Sequence, residues 1–266
     1  MNVNNQYIGV FDSGLGGLTV LKELKRKMPK ESFIYFGDTG HLPYGNKSKE
    51  SIIEYSLSIV KFLINQNIKA IIVACNTASA VALDTIKQEY SIPILNVIDP
   101  SIRVAINQSK TKAIGVIGTE TTISSQTYKK KIREINKNIK VISQACPLFV
   151  PIIEEGLINK NFSIDIAEFY LKNISNSEID TLILGCTHYP LYIKTISKII
   201  NPNILIIDSA KETARCVLEH LSKKQLLSKE NKSTDKYYVS DKPEQFDQLA
   251  NMFLGIKDIN VNHIRL

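Results

Sequence analysis

The sequence predicts two pseudo-symmetric, doubly wound α/β domains with mainly parallel sheets, and three observations carry that expectation. Short apolar runs alternate with longer amphipathic segments along the 266 residues, the order expected when strands feed helices. The runs also echo one another: Ile8-Gly9-Val10-Phe11 resembles Ile114-Gly115-Val116-Ile117. Finally, two cysteines close matching runs, Cys75 in Ile71-Ile-Val-Ala-Cys-Asn-Thr77 and Cys186 in Leu182-Ile-Leu-Gly-Cys-Thr-His188. Gly9 to Gly115 is 106 residues and Cys75 to Cys186 is 111, so one duplicated unit with small insertions accounts for both spacings.

Taken in order, the expected strands are Tyr7 to Phe11, Ser32 to Phe36, Ala70 to Ala74, Ile94 to Val97, Ala113 to Ile117, Lys140 to Gln144, Thr181 to Leu184 and Ile204 to Ile207. The segments between them read as helices. Ser51 to Asn65 places Ile52, Tyr55, Ile59 and Phe62 on one face at spacings of three and four. Ile98-Asp99-Pro100 breaks the pattern and marks a boundary, and Ile207-Asp208-Ser209-Ala210 marks a second crossing. The polar stretch from Ser222 to Lys236 reads as a surface loop, Tyr237 to Ser240 as a last strand, and Phe246 to Phe253 as a last helix. The expected domains are therefore residues 1–98 plus 208–266, to which the carboxyl-terminal part returns, and residues 99–207.

Composition narrows the function classes. Apolar residues make up 44% and charged residues 22%, enough for a substantial core. No apolar run approaches the roughly 20 residues of a membrane span, and Met1 to Tyr7 is polar, so a cytoplasmic protein with no membrane partner is expected. The net charge of +7 comes from scattered lysines. The densest run, Lys129-Lys130-Lys131, lacks the interleaved aromatics of a stacking platform, so no nucleic-acid partner is expected. The four cysteines form no Cys-x-x-Cys pair, which argues against a disulfide framework or zinc site; no metal is expected.

The chemistry falls at strand ends, where open α/β folds bind ligands. Asp12 and Ser13 open Asp12-Ser-Gly-Leu-Gly-Gly-Leu18 after the first strand. The dinucleotide pattern fails there because Thr19 stands where its third glycine would be. Asp12 then suits an ammonium group or a proton relay, with a plain helix cap as the structural alternative. Cys75 and Cys186 each precede polar residues able to open a helix, and a helix amino terminus lowers a thiol pKa. Two thiols from similar halves suggest a cleft with one acid/base group on each side, suited to moving a proton across a carbon. His188 stands two residues past Cys186 and can tune it. The segment from Tyr35 to Gly45 reads as a turn-rich loop whose backbone can line a pocket. Glu154 and Glu155 form an acidic pair that is either solvated or active. Cys146 and Cys216 lack a comparable setting and read as small buried hydrophobes.

Together these stretches resemble glutamate racemase, a cofactor-independent bacterial enzyme family. The matching motifs are Gly9 to Thr19, Gly37-Asp-Thr39, Pro43-Tyr-Gly45, Ala74-Cys-Asn-Thr-Ala78, Pro147 through Gly156, Leu184 to Pro190 and Tyr238-Val-Ser-Asp241, so the likeness spans nearly the whole chain. The resemblance implies that Cys75 and Cys186 serve opposite faces of the substrate α-carbon, assisted by Asp12 and His188, with Glu154 near the site. It implies that Asp12, Ser13, Pro43, Tyr44, Gly45, Asn76, Thr77, Thr187 and His188 hold the amino acid, with Thr119 and Thr121 near its side-chain carboxylate. It further implies L- or D-glutamate as the small-molecule substrate, no cofactor, and a role in supplying D-glutamate for peptidoglycan. A homodimer is the expected assembly. A racemase for aspartate, a silent ligand-binding protein and a pyridoxal enzyme remain open as other readings.

Overall fold

A computed structural model describes residues 6–229, 234–255 and 259–266. Its strands form two sheets, and every pairing is parallel. The first sheet holds β1 (Tyr7–Asp12), β2 (Phe33–Gly37), β3 (Ile68–Val73), β4 (Ile94–Asn96), β9 (Lys236–Val239) and β10 (Val261–His263), in the order β10-β9-β2-β1-β3-β4. The second holds β5 (Ala113–Gly118), β6 (Lys140–Ala145), β7 (Thr181–Gly185) and β8 (Leu205–Asp208), in the order β6-β5-β7-β8. The run β2-β1-β3-β4 thus has the same arrangement as β6-β5-β7-β8. The echo seen in sequence is an echo of topology, since Ile8 pairs with Ala70 as Ile114 pairs with Thr181.

The central strands were legible because helices cover both faces. β3, β5 and β7 are buried along their whole length, which removes the in–out alternation and leaves continuous apolar runs. α1 (Leu18–Lys27), α5 (Ile98–Gln108) and α11 (Ser209–Lys223) pack together, with α11 lying against both of the others. One hydrophobic cluster joins these helices to both sheets, and a second fills the other face of the first sheet.

Four expectations need correction. Ile98-Asp99-Pro100 does not break the pattern but opens α5, because proline is tolerated in a first helical turn, where its missing N–H has no intrahelical partner anyway. The polar stretch from Ser222 is not all loop: α11 runs to Lys223, and the Leu226 carbonyl accepts from Lys69 Nζ at 2.7 Å (residues 230–233 lie outside the described residues). Tyr237 to Ser240 is not the last strand, since β10 pairs with β9 beyond it. The last helix, α12 (Pro243–Leu254), starts three residues earlier than expected, with proline in its first turn.

Candidate active site

Both cysteines stand at the carboxyl ends of corresponding strands, β3 and β7, and both line one cavity. Each is almost fully buried. The same cavity is bordered by Ser13, Pro43, Tyr44, Gly45, Asn76, Thr77, Thr119, Glu154, Thr187 and His188. Gly14, Leu42 and Val150 also line it and carried no signal in the sequence beyond lying near the motifs. Asp12 and Thr121 fall just outside. Asp12 lies behind the wall, while Thr121 donates to the Gly45 carbonyl at 2.8 Å and so ties the loop of one lobe to the other.

Cys75 is the N-cap of α3 (Asn76–Val81). Its sulfur accepts the Ala78 N–H at 3.4 Å, and its S–H donates to Ser13 Oγ at 3.5 Å. The sequence leads one to expect a depressed thiol pKa at this helix start. The structure reverses it: burial, reinforced by the Asp12 charge, pushes Cys75 up to about 12. The helix is shorter than two turns, and its N–H groups do not outweigh the loss of water.

Asp12 is wholly buried at the end of β1. Its carboxylate accepts the Gly14 N–H at 3.0 Å, and Thr187 Oγ1 donates to it at 3.4 Å. The N-cap of α1 is Gly17, so Asp12 braces the turn before the helix rather than capping it. Burial raises its pKa, partly offset by the nearby His188 and the Gly17 and Gly14 N–H groups.

The Cys186 side is built differently. His188 Nδ1 lies 3.7 Å from Cys186 Sγ, and His188 Nε2 lies 2.9 Å from Glu154 Oε1. Glu154 ends α8 (Phe149–Glu154), so the acidic pair divides, with Glu154 facing the cavity and Glu155 outside it at the mouth. Burial alone would lower the His188 pKa; Cys186 and Glu154 overcome it and carry the imidazole up to about 10. An imidazolium donates through both ring nitrogens, which matches one sulfur and one carboxylate as acceptors.

That shift fixes a pH dependence. A raised folded pKa gives stability that is fully present below the ordinary imidazole value near 6.5 and is lost as pH rises through about 10. Glu154→Gln is expected to remove part of the shift. The fall in melting temperature between pH 6.5 and 10 should then flatten, and the alkaline limb of the rate profile should move down by about one pH unit or more. Thermal melts and initial rates across that range read both effects; unchanged curves would show that Glu154 does not hold the imidazolium.

The substrate-side loop is anchored from behind by Asp38, whose only signal in the sequence was its place in the Gly37-Asp-Thr39 motif. Its buried carboxylate accepts from Tyr44 OH at 2.5 Å and Ser240 Oγ at 2.6 Å, and lies 2.9 Å from His41 Nδ1. Tyr44 therefore turns its hydroxyl to Asp38 and offers the cavity its ring and backbone. Across the cleft, Thr77 Oγ1 lies 3.0 Å from Thr119 Oγ1 and 3.1 Å from Thr122 Oγ1.

Two buried thiols from equivalent strand ends thus line one cavity, one near a buried carboxylate and the other beside an imidazole–carboxylate pair. The chain belongs to the Asp/Glu/Hydantoin racemase family, whose model matches residues 9–217. It is an amino-acid racemase, and its full-length relatives are glutamate racemases. That of Geobacter metallireducens is 46% identical over 260 residues, covering 97% of this chain and 96% of the relative. That of Sulfurihydrogenibium is 44% identical, covering 97% of each. The crystal structure of glutamate racemase isoform RacE1 from Bacillus anthracis superposes with a TM-score of 0.96 at 38% identity, covering 99% of this chain and 98% of that one. The Francisella tularensis glutamate racemase, solved with D-glutamate, gives 0.93 at 38% identity and covers 98% of both chains. Among the described residues, no helix is long and apolar enough to cross a membrane.

Proposed function

We propose that this protein interconverts L- and D-glutamate, with Cys75 and Cys186 exchanging the α-proton on opposite faces. The observation that carries the reading is the meeting of two strand-end thiols, from two topologically equivalent units, in one buried cavity. The D-glutamate complex of the Francisella relative supports the substrate.

The α-proton of an amino acid is a very weak acid, so the site must stabilise a carbanion-like transition state with fixed donors while excluding water. Hydroxyls and amides supply those donors: Ser13, Asn76, Thr77, Thr119 and Thr187 line the cavity, with Thr121 acting through the Gly45 loop. One cysteine must start charged and the other neutral. Cys75, pushed up to about 12, is a neutral thiol ready to give a proton. A thiolate at Cys186 is met by the imidazolium of His188, which Glu154 holds in place. In this state Cys186 removes the proton as general base and Cys75 returns one as general acid. The reverse reaction begins with the charges exchanged, Cys75 as thiolate and Cys186 as thiol. The same reading has the protein acting in the cytoplasm as a homodimer and providing D-glutamate for peptidoglycan.

Incubation with each enantiomer of glutamate and of aspartate in D₂O, followed by NMR, tests the proposal. Glutamate is expected to racemise with deuterium entering Cα of the product. Product that keeps its original hydrogen would defeat exchange through the thiols. Faster turnover of aspartate would move the substrate assignment, a difference of one methylene being worth only about 1–3 kcal/mol.

A further inference from the structure

Asn76 opens α3 and borders the catalytic cavity, and its buried side-chain Nδ2 has no hydrogen-bond partner among the described residues. A buried amide donor left unpaired is costly and uncommon, so such a group at a cavity wall points to a ligand acceptor. The other end of the amide is engaged. Tyr128 OH donates to Asn76 Oδ1 at 2.7 Å. Tyr128 comes from α7 (Thr127–Ile135) on the second lobe, is itself buried, and does not line the cavity. Its neighbour Thr127 also crosses, donating to the Ala80 carbonyl of α3 at 2.9 Å, so α7 grips α3 at two points.

We propose that Tyr128 is a positioning residue that fixes the Asn76 amide so that its NH₂ faces a carboxylate of the bound amino acid. The inference rests on the racemase reading above. An amide is nearly symmetric in shape, and only its hydrogen-bond partners decide which end faces where. With the Tyr128 hydroxyl in place, Oδ1 is held at the back and the donor points forward. Without it, the amide can turn and present oxygen to an anionic group, which repels it. Burial raises the Tyr128 phenol pKa, so the hydroxyl stays a donor at any working pH.

A double-variant cycle tests this. Tyr128→Phe removes one oxygen and keeps the ring that fills the core, and circular dichroism melts check that it stays folded. The expected result is a rise of about tenfold in KM for glutamate with kcat within twofold of wild type, the size of one lost oriented hydrogen bond. Asn76→Ala is expected to show at least that loss, and adding Tyr128→Phe to it should change nothing further. Calorimetric titration of D-glutamate into the same four proteins reads the cycle as Kd, independently of turnover. A Tyr128→Phe protein with wild-type KM and Kd, a defect confined to kcat, or losses that multiply in the double variant would overturn the proposal. Wild-type protein that binds glutamate and shows the cycle in Kd, yet does not racemise it, would instead overturn the proposed function and leave the positioning role standing.

Discussion

Serine at either Cys75 or Cys186 is expected to stop racemisation, with kcat/KM for glutamate falling by about 10³-fold or more. The reason is stoichiometric: each turnover needs one group to take a proton and another, on the opposite face, to give one. A serine hydroxyl has the shape of the thiol but is far too weak an acid to alternate between the two forms. The two variants should differ in what remains. Cys75→Ser leaves Cys186 with its support, His188 Nδ1 at 3.7 Å from the sulfur and Glu154 at 2.9 Å from the far side of the ring, so removal of a proton on that face can persist. Cys186→Ser leaves a thiol that burial and Asp12 push toward the neutral form, so the enantiomer that Cys186 deprotonates has no base for its first step. Circular dichroism on each enantiomer and NMR in D₂O separate these outcomes. Full activity in either variant would sink the two-thiol scheme.

Gly16→Ala is expected to lower kcat/KM by about 10²-fold while the protein still folds. A Cβ at Gly16 would sit 2.3 Å from Thr187 Oγ1 and 2.4 Å from His188 Nδ1, far inside contact distance. The turn after β1 therefore presses its bare backbone against the His188 imidazole of the other lobe. The ring has little room to retreat, since its nitrogens engage Cys186 and Glu154. Thr19 adds to the clamp by donating to the Thr187 carbonyl at 2.8 Å. A methyl group here must push His188 out of line or hold the lobes apart, and misplacement by about 1 Å can cost that factor. The alkaline limb of the rate profile should shift as well, because His188 would lose its partners. An Ala variant with wild-type rates would mean the imidazole is not fixed by this contact.

The sequence exposed what repeats or runs. Strands buried on both faces appear as unbroken apolar stretches, and duplication made Cys75 and Cys186 identifiable by their shared setting. What it hid were interactions between distant residues. β10 is Val261-Asn262-His263, two of its three residues polar and on an edge, and exists only because β9 offers it a partner. The raised pKa of Cys75 was invisible because the helix start shows in the sequence while the depth of burial does not. Asp38 gathers partners from both ends of the chain, with Ser240 lying 202 residues away. Tyr128 reaches Asn76 across 52 residues, from a helix whose lysines draw the eye instead. Among the expected site residues, only Asp12 and Thr121 stand back from the cavity.

The order in which the sheets close has a consequence for biosynthesis. The second sheet has all four strands once residue 208 has emerged from the ribosome, whereas β2 must wait for β9, which begins at Lys236. The lobe made first is thus the one finished last, with an open hydrogen-bonding edge throughout translation of its sibling. Ser240, which steadies the Asp38 loop, arrives with that final strand. A nascent chain stalled before it would carry both sulfurs yet lack the hydroxyl that steadies the wall beside one of them.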